Sequence, residues 1–245
     1  MKKQLIASTA VLASLLTIGG PAFAASSTSQ NSNTTTNLTT AQIQATISEV
    51  NPVIITKNNG EVKISHEITS LNLSPQQLSF VDQSVAAYNQ KVSEGIFDTA
   101  NHMDKTSEAN LAKFKSSHIS NTSSTQISSA TTTGEFGLPS SWFYSYTPQA
   151  VYYGYWWGNQ VVLNQTATVD VEAFLGVSGV YGSAAAGKQA VIDAVGAAGA
   201  EAINQLSMAG VAYGALMVIQ DSRGAGDNLQ FLDDWVPFTV AGNWA

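Results

Sequence analysis

One stretch limits this chain more than any other: from Ser116 to Thr133, twelve of eighteen residues are Ser or Thr. Such a run has no apolar period and cannot offset the entropy of ordering itself. It predicts a flexible linker, or a glycosylated stalk, over 116–134. A similar stretch at 26–40, SSTSQNSNTTTNLTT, has Leu38 as its sole apolar residue and predicts disorder over 25–40. Folded structure is therefore expected in two pieces, 41–115 and 135–245. Cysteine is absent, so no disulfide holds either piece and packing alone must do so.

The first residues predict export. Lys2 and Lys3 precede an apolar run from Leu5 to Ile18, which Gly19, Gly20 and Pro21 interrupt. Ala22-Phe23-Ala24 then puts small residues at the −3 and −1 positions of a cleavage site. The run is short for a bilayer span. Residues 1–24 are thus expected to be a signal peptide, with an extracellular mature protein beginning near Ala25. Its removal takes two of the ten basic residues and none of the seventeen acidic ones, moving the net charge from −7 to −9. A nucleic-acid partner would need a basic stripe, and there is none. An acidic surface also offers no attraction to anionic lipid.

In the first piece, AQIQATISEV (41–50) reads as a short amphipathic helix that Asn51-Pro52 stops, because the residue before proline is pushed out of the helical region. VIITK and EVKIS flank Asn58-Asn59-Gly60, a hairpin signal. Ser74, Pro75 and Gln77 predict a helix start with a capping box. Leu78, Val81, Val85, Tyr88 and Val92 then form one stripe at spacings of three and four, a packing face. Phe97 to Phe114 reads as a weaker helix.

The second piece opens with nine Trp, Tyr or Phe among the sixteen residues from Trp142 to Trp157. NQVVLN (159–164) predicts a strand, and Thr166 or Thr168 a cap for a helix from Val169. Gly/Ala-rich sequence follows, with breaks or close approaches at Gly182, Gly187, Gly196 and Gly199. Two or three short helices are expected, the last over about 202–219. Ala202 to Gln220 carries no charge. NLQFL (228–232) is expected as a closing strand beside VVLN. The fold class is α+β: a small helix/β-hairpin/helix N-terminal module, then a mostly α-helical C-terminal module framed by two short strands.

Trp and Tyr join a flat apolar body to a polar tip, which suits a membrane interface, a sugar-stacking surface or a core. Trp142, Tyr152, Tyr153, Tyr155, Trp156 and Trp157 are the candidates for membrane or glycan contact. Gly210 and Gly214 stand four apart, a spacing that permits close helix approach in lipid and equally in a soluble core. No enzyme signature is present. GVSGV (176–180) misses the nucleophile elbow by one position, and GSAAAGKQ (182–189) lacks the Ser or Thr of a phosphate loop. Lys188 reads as a solvated helix residue. Asp98 and His102 could share a helix face, but two ligands do not make a metal site. His66, His102 and His118 are expected to be exposed. No catalytic residue, cofactor or metal is expected.

YYGYWWGNQVVLN (152–164), the small-residue helices of 169–220, NLQFL (228–232) and ISEVNPVIITKNNGEVKI (47–64) together resemble a loose group of secreted, bacteriocin-like proteins of Gram-positive bacteria. The resemblance implies a protein that acts on membranes. This chain departs from bacteriocins in charge: 136–245 holds two basic residues, Lys188 and Arg223, against eight acidic ones. It is also long, and a double-glycine leader is not expected. The expected function is that of a secreted, non-enzymatic, bacteriocin-like protein whose C-terminal module meets a lipid bilayer. The alternatives are a cell-envelope module holding cell-wall glycan on its Trp/Tyr surface, and a structural protein of the cell surface. The oligomeric state is not legible.

Overall fold

The computed structural model describes residues 38–98, 102–119, 134–221, 224–233 and 235–244. The expected signal peptide, nearly all of the 25–40 stretch and most of the 116–134 linker lie outside them. Of that linker Ser116 to Ile119 and Gly134 are described, and Ser116 to Ile119 prolong a helix rather than beginning a linker.

Helix α1 (Thr40–Val50) starts at Thr39, whose hydroxyl accepts the Gln42 N–H while the Gln42 side chain accepts the Thr39 N–H. It buries Ile43, Thr46 and Val50 and gives way at Asn51–Val53 to a 3-10 turn. Strands β1 (Ile54–Thr56) and β2 (Val62–Ile64) pair antiparallel, and Gly60 turns the chain between them at φ 87°. Asn89 holds β2 from outside: its Nδ2 donates to the Val62 carbonyl and its Oδ1 accepts the Val62 N–H. Asn89 lies on α2 (Pro75–Ser93), which has the Ser74/Gln77 capping box. Val81, Val85, Tyr88 and Val92 of the expected stripe are buried, and Leu78 is exposed.

The stretch 97–114 is not one helix. It forms β3 (Phe97–Asp98), β4 (Met103–Asp104) and then α3 (Lys105–Ile119). Asp104 Oδ1 accepts the Thr106 N–H at 2.7 Å, a local bond that stops the strand and starts the helix.

After a helical turn, α4 (Ser140–Phe143), come β5 (Ala150–Tyr155), β6 (Gly158–Leu163), α5 (Gln165–Phe174), α6 (Ala184–Val195), α7 (Gly199–Gln220), β7 (Asp227–Phe231) and β8 (Pro237–Gly242). The C-terminal piece thus has four strands rather than two, and α5 to α7 are an insertion between β6 and β7. The expected pairing of VVLN with NLQFL is found as β6 against β7. Asn164 caps α5, not Thr166 or Thr168.

The class is α+β. Strands β3 to β8 lie in sequence order in one six-stranded antiparallel sheet. Two of its strands come from the expected N-terminal module and four from the C-terminal one, so the two pieces share a sheet. Tyr152, Val161, Leu229 and Val240 line up across four strands. They face a core that includes residues of α1, α2, α5, α6 and α7. Val151, Tyr153 and Val162 point the opposite way, onto Leu111 and Phe114 of α3 and Leu138, Trp142 and Phe143. Both faces are covered, so β5 and β6 lack the polar alternation of a half-solvated strand.

Two close approaches fix the helical layer. A Cβ on Gly187 of α6 would lie 2.5 Å from the Asp170 carbonyl carbon of α5. Ser107 of α3 covers the edge of β5 where β4 runs out. Its Oγ accepts the Tyr152 N–H at 2.8 Å and donates to the Ala194 carbonyl at 2.6 Å.

Candidate functional site

The aromatic cluster is core. Trp142, Tyr152, Tyr153, Trp156 and Trp157 are all buried, and Tyr155 is half-buried with its ring stacked on Trp157 at 5.3 Å. This corrects the expectation that these six residues form a lipid- or glycan-contacting surface. The sequence alternation sends Tyr152 and Tyr153 to opposite faces of β5, and both faces are packed. Trp156 and Trp157 occupy the two-residue turn between β5 and β6, where Trp157 meets Phe238 edge-on at 5.7 Å. Burial also pushes up the phenols of Tyr152 and Tyr153, and that of Tyr155 to about 12. Of the nine aromatics from 142 to 157, Tyr144 and Tyr146 are the exposed ones.

Polar groups among these rings serve packing. Lys91 of α2 donates to Asn159 Oδ1 at 2.9 Å and to Asp233 Oδ1 at 3.1 Å, and the Tyr152 hydroxyl donates to the same Asn159 oxygen. His102 is not simply exposed: its Nδ1 shares a 2.7 Å hydrogen bond with the Tyr88 hydroxyl. Asp98 ends β3 and His102 immediately precedes β4, so the two do not share a helix face. The side chain of His118 lies outside the described residues, while His66 is exposed. Lys188 sits with its ammonium 4.6 Å from the centre of the Phe174 ring, a cation–π contact rather than a purely solvated position. Among the described residues no group of three or more His, Asp or Glu is placed to hold a metal ion.

The exposed apolar surface lies elsewhere, on α7. This helix breaks at Gly210 (φ 57°, ψ −148°). Beyond the break, Tyr213, Gly214 and Met217 are buried, while Val211, Leu216, Val218 and Ile219 are exposed, as is Met208 before it. Residues 211, 215 and 218, with 212, 216 and 219, make one side of the helix at spacings of three and four. By length and composition the run Ala184–Gln220 is apolar enough to cross a membrane, and only 28% of its most apolar window is buried. The loop after α5 adjoins this side, with Val177 Cγ2 against Gly214 and Gly176 beside Val211, and it carries the fully exposed Tyr181. The run of 19 uncharged residues was visible in the sequence; which of them face outward was not.

At the foot of α7 lie three carboxyls. Glu172 comes from α5, Asp221 caps the C-terminus of α7, and Asp227 opens β7. Asp227 is wholly buried, and neither of its carboxyl oxygens has a hydrogen-bond partner. Burial, then Asp221 and Glu172, push its pKa up to about 9. Burial, then Asp221, push Glu172 up to about 7. Burial also raises Asp221, against hydrogen bonds from Gln165 and Gly226 that lower it.

In comparisons with known proteins, no family model, no curated protein and no solved structure matched the chain.

Proposed function

We propose that this is an exported, non-enzymatic protein of the bacteriocin-like type that makes contact with membranes, and that α7 makes the contact instead of the aromatic hairpin. The observation that carries this reading is the uncharged apolar side of α7, with Val211, Leu216, Val218 and Ile219 in solvent. A contiguous apolar patch of this kind marks an interaction surface. Only one side of the helix is free, since Tyr213 and Met217 anchor the other in the core. The geometry therefore suits a helix lying in the interface rather than crossing the bilayer. Tyr181 supplies an aromatic of the kind that settles at headgroup level. Because the chain is acidic, apolar area and not charge drives the contact.

The test is co-sedimentation of the full chain with neutral phosphatidylcholine vesicles, with Val211→Asp and Val218→Asp for comparison. Wild type is expected to bind equally well when anionic lipid is added, and each variant to bind at least about tenfold less, since a charge in this plane costs more than a kcal/mol. A wild type that stays in the supernatant sinks the reading. The glycan alternative now rests on the exposed Tyr144 and Tyr146, and retention on purified peptidoglycan that Tyr146→Ala abolishes would favour it.

A further inference from the structure

The foot of α7 is built as a clamp. Asp221 Oδ1 accepts the Gly226 N–H at 3.1 Å, and its Oδ2 accepts Gln165 Nε2 at 2.8 Å. Gln165 Oε1 accepts the same Gly226 N–H at 2.9 Å, and Thr168 Oγ1 accepts the Asp227 N–H at 2.8 Å. A Cβ on Gly226 would stand 2.3 Å from the Leu163 carbonyl oxygen. Asp221, Gly226 and Asp227 are thereby held against the first turns of α5 and the end of β6.

Inside this clamp sits the Asp227 carboxyl, closed off from water and with both oxygens unpartnered. The ionisable groups that face it are Glu172 from α5 and Asp221 and Tyr213 from α7. The Tyr213 hydroxyl donates to the Thr239 carbonyl at 2.8 Å, so it is committed to β8. The ion pairs among the described residues, Lys57–Glu61 and Lys91–Asp233, involve none of the three carboxyls. Arg223, between α7 and β7 in the sequence, lies outside the described residues. A carboxylate so placed is strongly disfavoured against the neutral acid.

We infer that Asp227, with Glu172 and Asp221, forms a proton-held latch: the neutral acid keeps residues 224–227 and the C-terminal half of α7 seated on α5, and loss of the proton frees them. The ionisations that open it follow from the shifts of the two most buried members, Glu172 near 7 and Asp227 near 9. Both are raised above their ordinary values, so the seating is complete in acid and is lost as pH climbs through that window. The inference does not depend on membrane binding, since it is a property of the folded chain in buffer.

The test is hydrogen exchange of the full chain without lipid, between about pH 6 and about pH 10, corrected for the base-catalysed intrinsic rate. Amides of 211–227 are expected to lose protection at least about tenfold more than those of β5 and β6. Asp227→Asn, neutral at every pH, should remove the part of that excess loss that follows Asp227, leaving the earlier part that Glu172 causes. Carbon NMR of the wild-type carboxyls gives a readout that needs no variant, with one Asp titrating well above the ordinary range. The latch is overturned if all Asp carboxyls titrate below about 6, since none is then held neutral. It is equally overturned if protection of 211–227 does not change with pH, or falls equally in the Asn variant. Saturable stabilisation by calcium that Asp227→Asn abolishes would show a cation in place of the proton, and would also overturn it.

Discussion

The indole Nε1 of Trp156 donates a 2.6 Å hydrogen bond to Oδ1 of Asn51, 105 residues earlier in the chain. The tip of the β5–β6 hairpin is thereby tied to the residue that ends α1. On its other side the ring meets Phe80 of α2 at 6.4 Å. An aromatic at a hairpin turn would ordinarily project into solvent, but here the N-terminal helices cover it.

Truncating that ring should be costly. Trp156→Ala is expected to lower stability by about 3–5 kcal/mol, the usual range for a buried large ring. Trp156→Phe keeps most of the volume and should lose about 0.5–1.5 kcal/mol, the net worth of the hydrogen bond to the exposed Asn51. Urea unfolding reads both. In a Trp244→Phe background, which removes the half-exposed indole, emission should be blue in buffer and unmoved by vesicles. A red emission that vesicles shift would return the cluster to the surface.

Asn164 does several jobs at once. It is fully buried, and its Oδ1 accepts the N–H groups of Ala167 and Gln149 at 2.9 and 3.0 Å while its Nδ2 donates to the Thr147 carbonyl at 2.9 Å. Asn164→Ala removes a helix cap and strands backbone groups away from water, so a loss of about 2–4 kcal/mol is expected. Thermal unfolding checks it; a change below about 1 kcal/mol would mean water replaces the side chain.

Gly187 sets the spacing of α5 and α6. Gly187→Ala has no helix-propensity penalty, yet its Cβ would collide with the backbone of Asp170. The helices must part, at about 1–3 kcal/mol for overpacking. Unchanged or higher stability would show that α6 slides without cost.

Glu172 gives a pH dependence with a definite sign. Its folded pKa of about 7 lies above the ordinary glutamate value of 4.5, so the folded state holds a proton that the unfolded chain releases first. Stability is full below about 4.5 and falls as pH rises toward about 7. Glu172→Gln should flatten that part of the profile without removing the further fall that Asp227 causes. An unaltered slope in the Gln variant would assign the fall to another group.

Much of the local structure was legible because it is settled by neighbours in the chain. Ser74, Pro75 and Gln77 start α2 through bonds within one turn, and Asn58-Asn59-Gly60 closes a hairpin because Gly60 tolerates positive φ. The α+β class and the pairing of VVLN with NLQFL followed from the same short-range signals. The stretch 97–104 was misread as helix, because strands of two residues are too short to show a period and depend on β5, some fifty residues away, for their pairing.

Tertiary packing decided the rest. In AVYYGY the alternation of β5 is present, but both faces are covered, and no polar residue distinguishes inside from outside. The placement of α1 and α2 over the hairpin tip turned Trp156 inward, and Phe238 of β8 packs against Trp157. The converse holds for α7: its residues look equally apolar, and it is Tyr213 and Met217 entering the core that leave Val211 and Val218 in water. Glu172, Asp221 and Asp227 are separated by up to 55 positions and come from three elements, so the clash of their charges exists only once the chain has folded. Short-range hydrogen bonds and backbone preferences are written residue by residue; burial is a property of what covers a residue, and here that comes from distant parts of the chain.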